Sequence, residues 1–498
     1  MKKILRFFQS SEIESLIKMF FFNFALLLFA VCVIGKKLIL LPTAFILFYG
    51  IFILKPNLKM NIVGKIVFLI SFLRFCYVPA LYTITKVYHL YSWYVPTFVD
   101  NELLVQTLMI IELFSIFLAL FLYFKKHPYI EPLTENNESE SHVIPFRPLS
   151  CVCLLATFGL VLLYPKLTPF FNVGKEVPSS ISSIFSACLC VSFLYVCEII
   201  LNMKRDILKL CLIVFAFGLF ILPATMQMNS ISRNLLIINS LAFAFVLMKF
   251  FSKYKNVIIF FAFLGLLLGF CLLTAKKMYT GGNTSALLGT ISIYTNYSYC
   301  NSYFAGPTNY QTGLYFIESG YQGLGYIIND MFANLPFVSK YFFNENTVYL
   351  YNNFVFHGAS QQEILPTGVQ SMVYFGPYLG WLLPTLFAIL GIKLYDFSKK
   401  CKNFSICYLL FAFSIIFSMS QIISVNAVSM LIVVKFLPAF LIVLADLFAT
   451  KLVKIIKVKK PPENYENVEE QENNGYIIRK NYLFSLFHQL ILFAVPLV

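Results

Sequence analysis

The stretch ELLVQTLMIIELFSIFLALFLYFKK at residues 102–126 decides the fold class. It is an apolar run that ends in two lysines, and its length suits a helix rising about 1.5 Å per residue across a hydrocarbon core about 30 Å thick. Similar blocks recur along the chain, in which 59% of residues are hydrophobic and 12% are charged. An average soluble domain carries about 25% charged residues. These patterns predict an all-α polytopic membrane protein.

About twelve blocks are long enough to be membrane spans. They cover residues 19–34, 38–54, 62–84, 102–124, 148–164, 180–201, 207–224, 233–250, 256–275, 367–395, 405–420 and 424–449. The last two are nearly fused, so a helical hairpin and one long bent helix both fit them. Lys and Arg concentrate in every second loop, which predicts that both termini lie in the cytoplasm. This bias accounts for the net charge of +15 and argues against nucleic acid as a partner.

The spans divide the chain into four regions. Residues 1–275 hold spans one to nine, 276–366 form one large periplasmic loop, 367–450 hold spans ten to twelve, and 451–498 form a cytoplasmic tail. The loop is rich in Tyr and Asn, which we interpret as a sugar-facing surface because rings stack on sugars and amides bond hydroxyls. The alternative is an ordinary interfacial aromatic belt. Most cysteines lie in apolar blocks, so neither a disulfide nor a metal site is predicted.

Cations at the outer membrane boundary are the first candidates for chemistry. Arg233 begins the eighth span and can hold a phosphate through two hydrogen bonds. Lys276 and Lys277 follow the ninth span on the same side and can neutralise a diphosphate. For all three, snorkelling or anchoring to lipid headgroups is the alternative. Arg74 lies within the third span, where a charge is costly, so it binds substrate or pairs with Glu112.

The remaining candidates lie in the large loop. His357 and Glu363 precede the tenth span and are candidates for orienting or deprotonating an acceptor hydroxyl. Candidates for binding sugar are Glu318, Asp330 and Tyr294, although each also fits an ordinary solvated loop. Glycines and prolines interrupt the tenth block, a pattern that is tolerated where broken backbone lines a protein cavity.

The passage HGASQQEILPTGVQSMVYFGPYLGWLLPTLFAILGIKLYD at 357–396 resembles the corresponding region of the O-antigen polymerase (oligosaccharide repeat unit polymerase) family, and of enterobacterial common antigen polymerases in particular. SISRNLLI at 230–237 is similar to their Arg-containing outer turn. AKKMY at 275–279 is similar to their basic exit into the periplasmic loop. The chain departs from them at 418–429, where it has SMSQIISVNAVS and they have an Arg-Glu pair.

The resemblance implies a GT-C-like enzyme of the bacterial inner membrane. It would move a growing glycan from undecaprenyl diphosphate to a sugar hydroxyl of a new repeat unit, in O-antigen or capsule synthesis. The family is metal-independent, and no cofactor is expected. Arg233, Lys276 and Lys277 would then stabilise the leaving diphosphate. A flippase and a chain-length regulator are implied as partners, and an O-antigen ligase and a polysaccharide flippase or transporter are the alternative functions.

Overall fold

The computed structural model describes most of the chain. It covers residues 11–54, 60–85, 101–127, 147–167, 179–203, 206–227, 230–231, 233–262, 265, 297–335, 338–356 and 364–458. The chain divides into two compact units, Met1–Asp446 and Leu447–Val498. In the second unit the described residues, 447–458, are helical. Every contact discussed below lies in the first unit.

The helices before the large loop follow the first eight apolar blocks, and of the ninth block, 256–275, the structure describes only residues 256–262 and 265. They are α1 (Ser11–Gly35), α2 (Leu40–Leu54), α3 (Ile62–Thr85), α4 (Glu102–Lys126), α5 (Pro148–Leu163), α6 (Ser179–Leu201), α7 (Asp206–Thr225), α8 (Arg233–Phe250) and α9 (Ser252–Ala262). A hairpin of two-residue strands, β1 (Met226–Gln227) and β2 (Ser230–Ile231), joins α7 to α8. α8 and α9 meet at a bend of 115°.

The described part of the large loop is also helical. It contains α10 (Tyr297–Phe304), α11 (Pro307–Glu318), α12 (Gly325–Phe332), α13 (Ser339–Phe342) and α14 (Thr347–Phe356). We call residues 297–356 the cap. After it come α15 (Thr367–Phe375), α16 (Leu382–Lys400), α17 (Phe404–Ser418) and α18, which is Val425–Met430, a π-helical turn at Leu431–Phe436, and Leu437–Val458.

Six of the described helices are long and apolar enough to cross a membrane, or seven if the bent pair α8–α9 is one span. Three shorter apolar helices, Leu40–Phe52, Pro148–Leu163 and Phe404–Ser418, accompany them. The polytopic membrane class is therefore confirmed, while the total of twelve spans stays a prediction. The predicted break in the tenth block is confirmed as well. α15 ends at Phe375, the next residue, Gly376, has φ +104°, and α16 begins after a 3₁₀ turn at Pro377–Leu379.

Aromatic rings fill the space between the long helices. Phe68 of α3 and Phe117 of α4 have ring centroids 4.4 Å apart. Phe217 and Phe243 stack at 3.9 Å between α7 and α8. Because lipid is as apolar as these side chains, close packing rather than exclusion of water holds such helices together.

Polar contacts at the helix ends agree with an alternating path through the membrane. Each joins residues that the predicted topology places on the same side. On the predicted cytoplasmic side the contacts are Asn61–Asp396, Tyr123–Asp396, Arg147–Glu198, Ser150–Asp446 and Lys249–Ser398. On the predicted outer side Glu102 accepts from the Leu38 amide at 2.9 Å, and Gln106 accepts from the Leu40 amide at 3.0 Å. A single miscounted helix between two such partners would place them on opposite sides.

Candidate functional site

Arg74 and Glu112 form a fully buried ion pair between α3 and α4. Nη1 of Arg74 lies 2.5 Å from Oε1 of Glu112, and Nη2 lies 3.2 Å from Oε2. Arg74 occupies a π-helical turn, Leu73–Tyr77, and a second such turn, in α18, holds Lys435. Turns of this kind are frequent at functional sites. An unpaired charge in the middle of a span is costly, so the structure favours the pairing alternative for Arg74.

The cap supplies the other partners of this pair. Tyr310 donates its hydroxyl to Oε2 of Glu112 at 3.1 Å, and Arg74 donates Nε to the carbonyl of Ala305 at 3.0 Å. Ala305 has φ +49°, in the left-handed region that residues other than glycine rarely adopt. All three nitrogens of the guanidinium group are thus engaged. Arg74 anchors the cap to the spans, and binding a phosphate would require it to release a protein partner.

Two glycines, which have no side chain, allow close packing: Gly368 of α15 lies against the Arg74–Glu112 pair, and Gly313 of the cap lies against α15. A Cβ atom on Gly368 would lie 2.5 Å from Oε2 of Glu112 and 2.9 Å from the hydroxyl of Tyr310. A Cβ atom on Gly313 would lie 2.4 Å from a methyl group of Val369. Burial raises the pKa of Tyr310 well above its ordinary value, so its phenol stays protonated and remains a donor to the carboxylate.

Asp330 is the centre of a second buried network, which joins α12, α14 and α15. Its carboxylate accepts from the amide of Thr347 at 2.7 Å, from the Thr347 hydroxyl at 2.5 Å, from Nε2 of Gln370 at 3.1 Å, and from the hydroxyl of Tyr374. Burial raises the pKa of Asp330, and the hydrogen bonds only partly oppose this shift. Asp330 is 0% exposed, so the geometry favours a role in holding the cap together over the predicted role in binding sugar.

Arg233 is the first residue of α8, as the sequence predicts. The β1–β2 hairpin before it forms the turn that precedes the helix. The amino end of a helix carries unpaired N–H groups and a partial positive charge, which suit an anion. The role of Arg233 at a phosphate stays a prediction.

The other predicted site residues divide into two groups. Glu318 is exposed and ends α11. Five candidates lie outside the described residues: Lys276, Lys277, Tyr294, His357 and Glu363.

Many tyrosines and asparagines of the cap face inward. The buried ones are Tyr297, Tyr310, Tyr351, Asn301, Asn309 and Asn346. Asn309, for example, donates Nδ2 to the carbonyl of Ile364 at 2.7 Å. For these residues the interpretation as a sugar-facing surface is wrong, because their polar groups bond to the protein. Tyr315, Tyr341 and Tyr349 are exposed and still fit it.

Sequence reasoning missed several buried polar residues. Gln370 and Tyr374, which bind Asp330, lie four residues apart in α15. This spacing places them on one face of a helix and could have indicated a shared buried partner. Gln421 lies in the turn between α17 and α18, where the hydroxyl of Ser71 lies 3.1 Å from its Oε1. Among the described residues, Nε2 of Gln421 and the hydroxyl of Ser420 are buried without a hydrogen-bond partner.

Comparison with protein-family models, with curated proteins and with solved structures found no match. Within the described ranges, no three His, Cys, Asp or Glu side chains are grouped as metal ligands. The functional argument therefore rests on the residues themselves and on the position of the cap.

Proposed function

We propose that this protein is a polymerase of undecaprenyl-diphosphate-linked oligosaccharide repeat units in the bacterial inner membrane. In this proposal it is a metal-independent glycosyltransferase with a GT-C-like fold, twelve spans and cytoplasmic termini. It extends O-antigen or capsular glycan with units that a flippase delivers, and a chain-length regulator is a further partner.

The observation that supports this proposal most is the insertion of the cap among the spans. The cap contacts α3 and α4 through Tyr310 and Ala305, about halfway along the span Ile62–Thr85. A region built this way can hold a sugar chain over the outer leaflet while the lipid part of the donor stays in the bilayer. The contacts at the helix ends support the side assignment, because they group as the alternation predicts.

The proposed reaction breaks the bond between the anomeric carbon of the growing glycan and the oxygen of its lipid diphosphate. A hydroxyl oxygen of the new unit forms the replacing bond, and its proton passes to His357 or Glu363. The lipid diphosphate leaves with the bonding electrons. Arg233, with Lys276 and Lys277 beside the next span, stabilises this charge in the transition state.

Deletion of the gene tests the class of reaction. For a polymerase, surface-polysaccharide gels show loss of the ladder while a single attached repeat remains. For a ligase, all attached repeats are lost and lipid-linked polymer accumulates. For a flippase, single lipid-linked units accumulate on the cytoplasmic face and are inaccessible to an enzyme added from outside. Either of the last two results would replace the proposal.

Arg233→Ala tests the assignment of the phosphate-binding cation. Removing one preorganised donor to a developing charge costs about 10²–10³ in rate, so the ladder should disappear although the protein is present at its normal level. Lys36→Ala is the matched control, because Lys36 is an exposed cation on the predicted outer side and should leave the ladder intact. An unchanged ladder in Arg233→Ala would exclude this residue from the reaction.

A further inference from the structure

The helix α12 carries an exposed apolar stripe. Leu324, which precedes it, is 62% exposed, Ile328 is 52% exposed and Met331 is 53% exposed. Positions i, i+4 and i+7 lie on one face of a helix. Asp330 projects from the other side of the helix into its buried network. The orientation of the helix is therefore fixed, and the stripe faces away from the protein.

Contacts with the last helix define the level of α12 relative to the membrane. The hydroxyl of Ser429 donates to the carbonyl of Met331 at 3.1 Å, and Nδ2 of Asn334 donates to the carbonyl of Asn426 at 3.0 Å. Both partners lie in the opening turns of the candidate span Val425–Thr450. The apolar stripe thus lies beside the end of a membrane-spanning helix rather than far above it.

Flanking residues are those that favour a membrane–water interface. Phe332 packs on Phe342 with ring centroids 5.6 Å apart. Tyr341 is 67% exposed, and the ammonium group of Lys340 lies 4.8 Å from the centre of its ring. Aromatic rings and lysines concentrate at the headgroup level of membrane proteins.

We infer that α12 is an interfacial helix whose apolar stripe lies among the upper acyl chains of the outer leaflet. Its partner is phospholipid, because the stripe is apolar, faces away from the protein, and lies on a helix that contacts the opening turns of a membrane-spanning helix. The bound lipid holds the cap at a fixed height over the bilayer. This inference does not depend on the proposed glycan transfer.

Quenching of tryptophan by brominated phospholipid tests the inference. The chain has two tryptophans, Trp93 and Trp381, which are changed to phenylalanine. Ile328→Trp is then introduced into that background, and Leu324→Trp serves as a second reporter. Ser319→Trp is the matched control, because Ser319 is an exposed residue of the cap outside the stripe. Each full-length variant is reconstituted into phosphatidylcholine vesicles with brominated acyl chains.

For insertion about 5–10 Å below the headgroups, quenching at positions 328 and 324 should exceed quenching at position 319 by at least about twofold. Their emission should also lie further to the blue. Equal quenching at all three positions would overturn the inference. Blue emission without quenching by lipid would overturn it as well, and would indicate that the stripe is covered by a second copy of the chain.

Discussion

Removing one residue of the buried Arg74–Glu112 pair should lower the free energy of unfolding far more than removing one residue of an exposed ion pair. In Arg74→Met the carboxylate of Glu112 stays buried without a counter-charge, and the carbonyl of Ala305 loses its donor. In Glu112→Leu the guanidinium group is left unpaired, and the hydroxyl of Tyr310 loses its acceptor. Leaving an unpaired buried charge costs about 3–5 kcal/mol.

The double variant Arg74→Met with Glu112→Leu removes both charges and replaces them with apolar side chains. It still leaves Ala305 and Tyr310 without their partners, at about 1–3 kcal/mol each. Neither buried charge remains, however, so the penalty that each single variant carries is absent. The double variant should therefore cost less than the sum of the singles by at least about 3 kcal/mol.

The cysteines of the chain provide the assay. Cys76, next to the pair, and Cys300, in the cap, are 0% exposed. A thiol-reactive fluorescent dye reports their exposure on heating in detergent, and titration with sodium dodecyl sulfate gives free energies of unfolding. Lys37→Met is the control, because Lys37 lies 3.5 Å from Glu102 in a pair that is 39% and 21% exposed. Such pairs contribute about 0–1 kcal/mol.

This reasoning would be refuted if the double variant lost as much unfolding free energy as the two single variants together, because the two charges would then not depend on each other. A loss in Arg74→Met no larger than in Lys37→Met would refute it too. The pair would in that case be hydrated in solution, and its role as the anchor of the cap would have to be abandoned.

Two further perturbations test the packing around the cap. Gly368→Ala places a methyl group 2.5 Å from Oε2 of Glu112 and should lower the free energy of unfolding by about 1–3 kcal/mol. Gly159→Ala is the control, because the new atom meets nothing within 4 Å. It should instead stabilise α5 by about 0.5–1 kcal/mol. Burial raises the pKa of the Asp330 carboxyl, so the folded chain binds the carboxyl proton more tightly than the unfolded chain does. The stability that the protonated carboxyl contributes is therefore lost as pH rises through the raised pKa. The unfolding free energy of the native chain minus that of Asp330→Asn should therefore fall as pH rises. A difference that stays constant with pH would contradict a raised pKa for Asp330.

The long helices could be predicted because a membrane imposes their length and composition. The eighth block, 233–250, coincides with α8, Arg233–Phe250. Arg74 could be assigned to the interior because a charge within a span needs a partner. The sequence even suggested Glu112 as that partner, since few other charges lie inside the apolar blocks.

The cap could not be predicted in the same way. α11 is short and polar, and the Tyr- and Asn-rich composition of the loop favoured a sugar-facing surface or an interfacial aromatic belt. Its residues Thr308, Asn309 and Thr312 are nevertheless buried, because other segments supply their partners. Thr308 bonds Tyr297 of α10, Asn309 donates to the carbonyl of Ile364, and Thr312 bonds Tyr351 of α14. Such pairings are set by tertiary contacts that leave no periodic trace in the sequence.

Parts of α11 and α12 reverse the pattern of a water-soluble domain. α12 points the carboxylate of Asp330 inward and Leu324, Ile328 and Met331 outward. In α11 the polar residues Asn309, Gln311 and Thr312 are buried while Tyr315 is 48% exposed. A domain surrounded by water would gain stability by exchanging these positions, since exposing apolar surface costs about 25 cal/mol per Å². The reversal is favourable when the outer surface meets acyl chains and the inner surface meets a charged pair. The inserted cap and the proposed interfacial helix are thus two consequences of one arrangement, in which a polar interior is assembled against the membrane-spanning helices.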